Sequence, residues 1–220
     1  KPIIVKAVDE NPCDPDLVHL KWLILLATKD CAEATAAGEQ MVKTDTAAAD
    51  TTFFLRQSAC YASANDPQKA AETAARGVAK FKNNAALWSL YAQTLRLAGQ
   101  LPQSLAAAQT AVQLDPKTEH GFLRIAQAQI DLNQPDSAVS TLRQAVAAGE
   151  DKATVAQFLL VVGNKAYKKA TADTTKTRDD SLAMRNDFSH AVTILAASDS
   201  ISPSPSAKFV LGVSAFKVGD

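Results

Sequence analysis

Histidine and cysteine, the side chains that most often bind metals or act as nucleophiles, are few and widely spaced in this sequence of 220 residues. His19, His120 and His190 are too dispersed to predict a metal cluster, and each is most simply a surface or edge residue. The sequence has no glycine-rich phosphate loop, no His-Glu-x-x-His motif and no Gly-x-Ser-x-Gly elbow. We therefore expect no catalytic residue, no metal and no cofactor, and we interpret the chain as a protein that is not an enzyme.

The cysteines give a weaker signal than the histidines. Cys13, Cys31 and Cys60 are too few and too irregularly spaced for a disulfide scaffold or a zinc site. What they indicate about the compartment depends on where the fold places them.

Charge and hydropathy exclude two classes of partner. The chain has 23 basic and 23 acidic residues, so no overall field attracts a polynucleotide. The longest strongly apolar run, Trp22 to Ala27, is far too short to cross a bilayer. We therefore expect no nucleic-acid partner and no membrane span in this chain.

Two short amphipathic helices are predicted between Ala85 and Pro116. Apolar residues at intervals of three and four form one stripe before Gly99, which breaks the first helix. A second stripe follows and ends at Asp115-Pro116, because proline lacks a backbone donor and stops a helix. The first stripe is Leu87, Trp88, Tyr91, Leu95 and Ala98, and the second is Leu105, Ala108, Ala111, Val112 and Leu114.

This pattern recurs every 34 residues, at Thr51, Ala85, Glu119 and Ala153. Counted from Ala85, Trp88 is position 4, Ala92 is 8, Gly99 is 15 and Pro116 is 32, a spacing that resembles the tetratricopeptide repeat. The resemblance implies an all-α fold, a right-handed α-solenoid of stacked helical hairpins, in a chain of bacterial origin. Small or apolar residues replace several of the family's usual ones, namely Tyr91, Ala92, Leu95, Ser104 and Ala108.

The repeats divide the chain into an arm and a solenoid. Residues 1–15 are predicted to form an extended N-terminal arm, and residues 16–220 the solenoid. Repeats are predicted near 17–50, 51–84, 85–118, 119–152 and 153–204, with an incomplete sixth from 205. Numbering the first repeat from Leu17 places Leu20, Leu23, Ile24 and Ala27 on its packing face.

The fifth repeat departs from the pattern. Its first helix continues where a turn is due, so both of its helices are predicted to be long and joined by the charged loop 171–180. Their protruding end is a candidate docking knob, formed by Tyr167, Lys168, Lys169 and Phe188, although an insertion without function is the alternative. The sixth unit is an apolar helix without its partner helix.

The resemblance also implies where a partner binds, since this family generally holds peptides or proteins in the groove lined by its first helices. Cations outnumber acids among the residues on that face, so we expect an extended, acidic partner whose carboxylates pair with arginines there. The alternative is a solvated helix face with incidental charges. The groove residues carried onto this chain are Lys21, Trp22, Arg56, Gln93, Arg96, Arg124, Gln127, Gln157 and Asn164.

In the packing of this family, Cys31 would lie near Cys60. A disulfide between them would imply an oxidising compartment such as the periplasm. Two separately buried cysteines would be compatible with a cytoplasmic location. We expect a protein-interaction scaffold or accessory subunit of a larger complex. The alternatives are the targeting domain of a larger enzyme, since the chain begins at Lys1 without methionine, and a subunit that self-associates through its last helix.

Overall fold

The computed structural model describes residues 7–8, 10–118, 120–172 and 178–218, without the side chains of residues 178–182. These residues contain helices and no β-strand. The chain divides into two compact units, Lys1–Arg124 and Ile125–Asp220. The helix α7 (Gly121–Asp131) contains the boundary between them.

Three helical hairpins build the first unit. The first pairs α1 (Pro15–Ala27) with α2 (Cys31–Thr44), and the second pairs α3 (Thr51–Ser63) with α4 (Pro67–Lys80). The third pairs α5 (Ala85–Leu97) with α6 (Leu101–Leu114). In each hairpin the second helix begins 16 residues after the first, so all three share one spacing along the chain.

The second unit contains a short helix followed by three elements of unequal length. Helix α8 (Pro135–Ala147) precedes two long antiparallel helices, α9 (Lys152–Ala172) and α10 (Arg178–Ile201). These have 21 and 24 residues, compared with 13 or 14 in the hairpin helices of the first unit. Helix α11 (Pro205–Val218) packs against α10. Part of the predicted loop 171–180 lies outside the described residues.

Helix N-termini are fixed by short polar side chains. Asp14, Asp30, Asp50, Asp66 and Asn84 each accept a hydrogen bond from a backbone N–H in the first turn, which satisfies one of the helix's free donors. Asp151 caps α9 in the same way, by accepting a hydrogen bond from the backbone N–H of Thr154.

The capping carboxylate of Asp151 accepts bonds from the backbone N–H and the hydroxyl of Thr154, at 2.8 and 2.9 Å. Both bonds lower the pKa of Asp151 because they stabilise its charged form, and the backbone bond has the larger effect.

In the second and third hairpins the two helices approach closely at one pair of small residues. In the second hairpin the Ser58 hydroxyl donates to the carbonyl oxygen of Ala70 at 2.7 Å. In the third the arrangement is reversed, and the Ser104 hydroxyl donates to the carbonyl oxygen of Ala92 at 2.8 Å. The same close contact is therefore made with the hydroxyl on either helix, and only small side chains fit there.

The first hairpin does not follow the register predicted from Leu17. Leu20 and Leu23, assigned to the packing face, are 45% and 38% exposed. That prediction is wrong. The residues that α1 buries lie on a different stripe: Val18, Trp22 and Leu25.

The connector before the second hairpin explains the error. Helix α3 begins 36 residues after α1, whereas α5 begins 34 residues after α3. The two extra residues lie in the segment that follows Thr44, where the chain forms a short 3₁₀ turn, Thr46–Ala48. A strict period of 34 therefore assigns the first repeat two residues too late.

A buried amide joins the first two hairpins. Gln57 is fully buried, accepts a hydrogen bond from the indole N–H of Trp22 at 3.1 Å and donates to the Thr35 carbonyl at 2.7 Å. Helix α2 passes close to it at Gly38, where a Cβ would overlap the Gln57 side chain. Burial of this polar group is tolerated because its hydrogen bonds are made within the protein.

The predicted extended arm lies partly outside the described residues. Within it, Ala7, Val8 and Glu10 are helical, so this part of the arm is not extended. Val8 is 2% exposed and belongs to the core of the first unit.

We predict opposite effects of adding a methyl group at two helical glycines. A Cβ at Gly77 would lie 2.9 Å from the Cβ of Phe54, which no side-chain rotation can move, so Gly77→Ala should destabilise the fold by about 1–2 kcal/mol. A Cβ at Gly212 would meet nothing within 4 Å, so Gly212→Ala should be neutral or stabilise by up to about 1 kcal/mol. Urea unfolding of the two variants checks this, and equal effects at both sites would contradict the close approach at Gly77.

Candidate partner-binding site

Polar side chains on the first helices of the hairpins form a connected surface in the first unit. The guanidinium of Arg124, on α7, donates from Nη1 to Oε1 of Gln93, on α5, at 2.9 Å. Gln93 is exposed and Arg124 is half-buried. The bond orients both side chains across neighbouring first helices, so the structure brings two of the predicted groove residues together.

A cavity of about 390 Å³ lies beside this pair, and we call it the α5 cavity. Its described lining residues include two cations, Lys117 and Arg124, and one acid, Asp115, whose Oδ1 accepts the backbone N–H of Lys117 at 2.9 Å. Its lining residues are Leu55, Ala85, Ala86, Ser89, Leu90, Gln93, Asp115, Lys117, Thr118 and Arg124. The described lining therefore combines apolar residues with a small excess of positive charge.

Arg56, on α3, is exposed and borders two further cavities together with Leu23. One, of about 360 Å³, is lined in part by Cys31 and Cys60. The other, of about 460 Å³, also contains the carboxylates of Asp45 and Asp50. Asp45 caps the 3₁₀ turn and Asp50 caps α3, so Arg56 borders a cavity in which the other described side chains of full charge are acids.

Trp22 does not belong to the groove, and the prediction that placed it there is wrong. Its ring is 3% exposed and stacks at a tilt against Phe53, with 5.6 Å between ring centroids. The cause is the shifted register, which turns Trp22 towards the core and Leu20 and Leu23 towards the surface. Lys21 is half-buried beside it.

The remaining groove residues are distributed between the units. Arg96 is half-buried on α5 in the first unit. In the second unit Gln127 donates from Nε2 to Oδ1 of Asp131 at 2.9 Å, within one helix. Gln157 is exposed and Asn164 is half-buried, both on α9.

The docking knob as predicted is wrong for Phe188. This ring is 2% exposed and packs edge-on against Tyr167, with centroids 5.9 Å apart, so it belongs to the interior of the α9–α10 pair. Lys169 pairs with Asp187 at 2.9 Å across the same two helices. Among the four knob residues the structure leaves Lys168 and Lys169 exposed and Tyr167 half-buried.

Cys31 and Cys60 form a disulfide, with their Cα atoms 4.8 Å apart. It joins α2 to α3, and therefore the first hairpin to the second. Cys60 is 4% exposed, whereas the free thiol of Cys13 is at the surface.

The histidines lie in separate surroundings. His19 is exposed beside Trp22, His190 is half-buried on α10, and His120 has a positive φ of 56°. Within the described part of the chain no group of three or more His, Cys, Asp or Glu residues could hold a metal ion. No described helix is both long enough and apolar enough to cross a membrane.

Comparison with known proteins finds similarity in structure only. No family model matches the sequence, and no curated protein matches it. Among solved structures, YrrB, described as a TPR protein with an unusual peptide-binding site, has a TM-score of 0.60 at 16% identity and covers 96% of both chains. The chain has the tetratricopeptide-repeat fold.

Two further tetratricopeptide-repeat structures agree. MamA from Desulfovibrio magneticus RS-1 has a TM-score of 0.58 at 16% identity, over 66% of this chain and 81% of its own. PilF from Pseudomonas aeruginosa has a TM-score of 0.55 at 12% identity, over 93% of this chain and 90% of its own. The predicted all-α class and tetratricopeptide-type α-solenoid are therefore confirmed.

Two features of this surface were not predicted from the sequence. Leu20 and Leu23 are exposed on α1, and the correct register would have shown this if the connector length had been known. Ser89, 4% exposed at the α5 cavity, is the other, and no sequence signal distinguishes it from the serines that pack between helices.

We predict that the disulfide stabilises the first unit substantially. Cross-linking two residues 29 apart should contribute about 3–4 kcal/mol by restricting the unfolded chain, so reduction or Cys31→Ala with Cys60→Ala should lower the unfolding free energy by that amount. Cys13→Ser, at the exposed free thiol, is the matched control and should have no effect. Thiol titration of the unfolded, unreduced protein should detect one thiol per chain, and three would contradict the disulfide.

Proposed function

We propose that this chain is a non-catalytic protein-interaction scaffold or accessory subunit of a larger complex, which binds an extended segment of a protein partner on its first-helix face. The observation that carries the proposal is the Gln93–Arg124 bond, which holds two polar side chains of neighbouring first helices at the edge of an open cavity. Oriented donors and acceptors beside apolar walls suit the backbone and side chains of a peptide.

The fold and the local charge support the choice of face. YrrB, which has this fold, is described as having a peptide-binding site. Among the described residues around the α5 cavity the cations Lys117 and Arg124 outnumber the acid Asp115, and Arg56 lies on the preceding first helix, α3. A partner segment of acidic character is therefore favoured.

The compartment forms part of the proposal. The Cys31–Cys60 disulfide is stable in oxidising surroundings and uncommon where thiols are kept reduced. We place the chain outside the cytoplasm, in the periplasm or a comparable compartment.

We predict that the partner contacts α5 rather than α6. A photo-reactive benzoylphenylalanine at Ala86, exposed on α5 and part of the cavity lining, should cross-link the partner in living cells, whereas the same group at Gln109, exposed on α6, should not. Cross-linking from Gln109 alone would contradict this prediction and place the partner on the second helices of the hairpins.

Charge reversal tests the acidic character of that partner once it is captured. Arg56→Glu with Arg124→Glu should weaken binding at least about fivefold and reduce its dependence on salt, because two attractive charges become repulsive. Lys43→Glu with Lys69→Glu changes the net charge equally, but on the second helices α2 and α4, and should leave binding unchanged. Equal losses in the two variants would contradict a site on the first helices.

Self-association through α11 is the second candidate function. Phe209 and Phe216 lie on one stripe of this helix and are 73% and 78% exposed, so the helix presents a large apolar surface. We propose a second copy of the chain as the molecule that covers it.

We predict that the mean mass of the protein rises with concentration in analytical ultracentrifugation. Phe209→Lys with Phe216→Lys should abolish the rise, because it places two charges on the apolar stripe. Leu114→Lys, at a leucine of the first unit that is 39% exposed, is the control and should behave as the wild type. A wild-type chain that stays monomeric at every concentration would exclude this function.

A further inference from the structure

The hydroxyl of Ser89 breaks a pattern that the other buried serines follow. Ser58, Ser104, Ser198 and Ser214 each donate to a backbone carbonyl oxygen, at 2.7–2.9 Å. Ser89 is 4% exposed, and its Oγ has no hydrogen-bond partner among the described residues. A buried hydroxyl without a partner costs free energy, so this position serves packing poorly.

Ser89 lines the α5 cavity. Gln93 follows it by four residues, one turn further along α5 on the same side of the helix, and Gln93 in turn accepts a hydrogen bond from the Arg124 guanidinium. The cavity wall therefore combines a hydroxyl that no described residue engages with a guanidinium held in place by a neighbour. Both groups can donate hydrogen bonds to a ligand.

The charges around the cavity select an anionic ligand. Among the described residues that line it, Lys117 and Arg124 are cations and Asp115 is an acid, which gives an excess of one positive charge. The Asp115 carboxylate already accepts the backbone N–H of Lys117, so it is partly stabilised within the protein. Two donors and a net positive charge are complementary to a carboxylate.

The apolar walls indicate which carboxylate fits. Leu55, Ala85, Ala86 and Leu90 line the same cavity and offer contacts to aliphatic carbon. A glutamate side chain carries two methylene groups between its backbone and its carboxylate, whereas a chain terminus carries none of its own. An internal glutamate therefore uses both the apolar and the polar parts of the lining.

We propose that the α5 cavity binds the carboxylate of a glutamate side chain in the partner segment, with Ser89 and Arg124 donating to its oxygens. The inference rests on the proposed function and adds to it a specific subsite and the chemistry that this subsite recognises.

The test is an NMR titration of the full chain with three pentapeptides. Acetyl-Ala-Ala-Glu-Ala-Ala-amide should shift the backbone amide signals of Ser89, Gln93, Lys117 and Arg124 in a saturable way. The same peptide with glutamine should bind at least about fivefold more weakly. A penta-alanine peptide with a free C-terminal carboxylate should bind no better than the glutamine peptide.

Two matched variants separate recognition from stability. Ser89→Ala should weaken binding of the glutamate peptide several-fold while leaving Tm unchanged or higher, because the hydroxyl has no hydrogen bond to a described residue that could be lost. Ser58→Ala removes a hydroxyl that does bond a carbonyl, so it should lower Tm and leave peptide binding unchanged. A lower Tm for Ser89→Ala with unchanged binding would overturn the proposal.

The peptide series also has clear contradicting outcomes. Equal binding of the glutamate and glutamine peptides, stronger binding of the free C-terminus, or no shift at the α5 cavity would each overturn the glutamate subsite. Cross-linking of the partner from Ala86 is judged separately. If that cross-link forms while the peptide test fails, the first-helix face still binds the partner and only the subsite is wrong.

Discussion

The close approach of the two helices in the second and third hairpins is the constraint on which most of the first unit depends. At the contact between Ser58 and Ala70, and again between Ala92 and Ser104, a hydroxyl reaches a backbone carbonyl of the facing helix. A larger side chain would separate the helices and expose the apolar residues packed around the contact. Because a short hydroxyl satisfies its own donor there, the contact tolerates either alanine or serine.

This packing constraint also determines which residues are available for binding. On α5, Ala92 faces the second helix of its hairpin, and the helical twist then turns Ser89 and Gln93 towards the α5 cavity. The residues that pack thus position the residues that face the cavity. A serine at the packing contact has a backbone acceptor, whereas the serine turned towards the cavity has none among the described residues.

The first hairpin is held by different means. Its second helix, α2, buries small residues and a single large one, Met41, so it offers little apolar area to its neighbours. Long-range bonds compensate: the Cys31–Cys60 disulfide and the hydrogen bonds of Gln57 both connect this hairpin to the next. The first hairpin is therefore joined to its neighbour by a disulfide and by side-chain hydrogen bonds, whereas the second and third hairpins share the same contact between a serine hydroxyl and a backbone carbonyl.

The apolar spacing of the sequence, together with its resemblance to a known repeat, determined the fold class and the ends of the α5 and α6 helices near Gly99 and Pro116, since these depend on local residue patterns. The same resemblance pointed to Gln93 and Arg124, which the structure brings together. Only the tertiary structure decided the orientation of Trp22, the burial of Phe188 and the isolation of the Ser89 hydroxyl. The physical reason is that each of these depends on residues distant in sequence or on the conformation of a connector. Two additional residues after Thr44 were enough to change which face of α1 is buried.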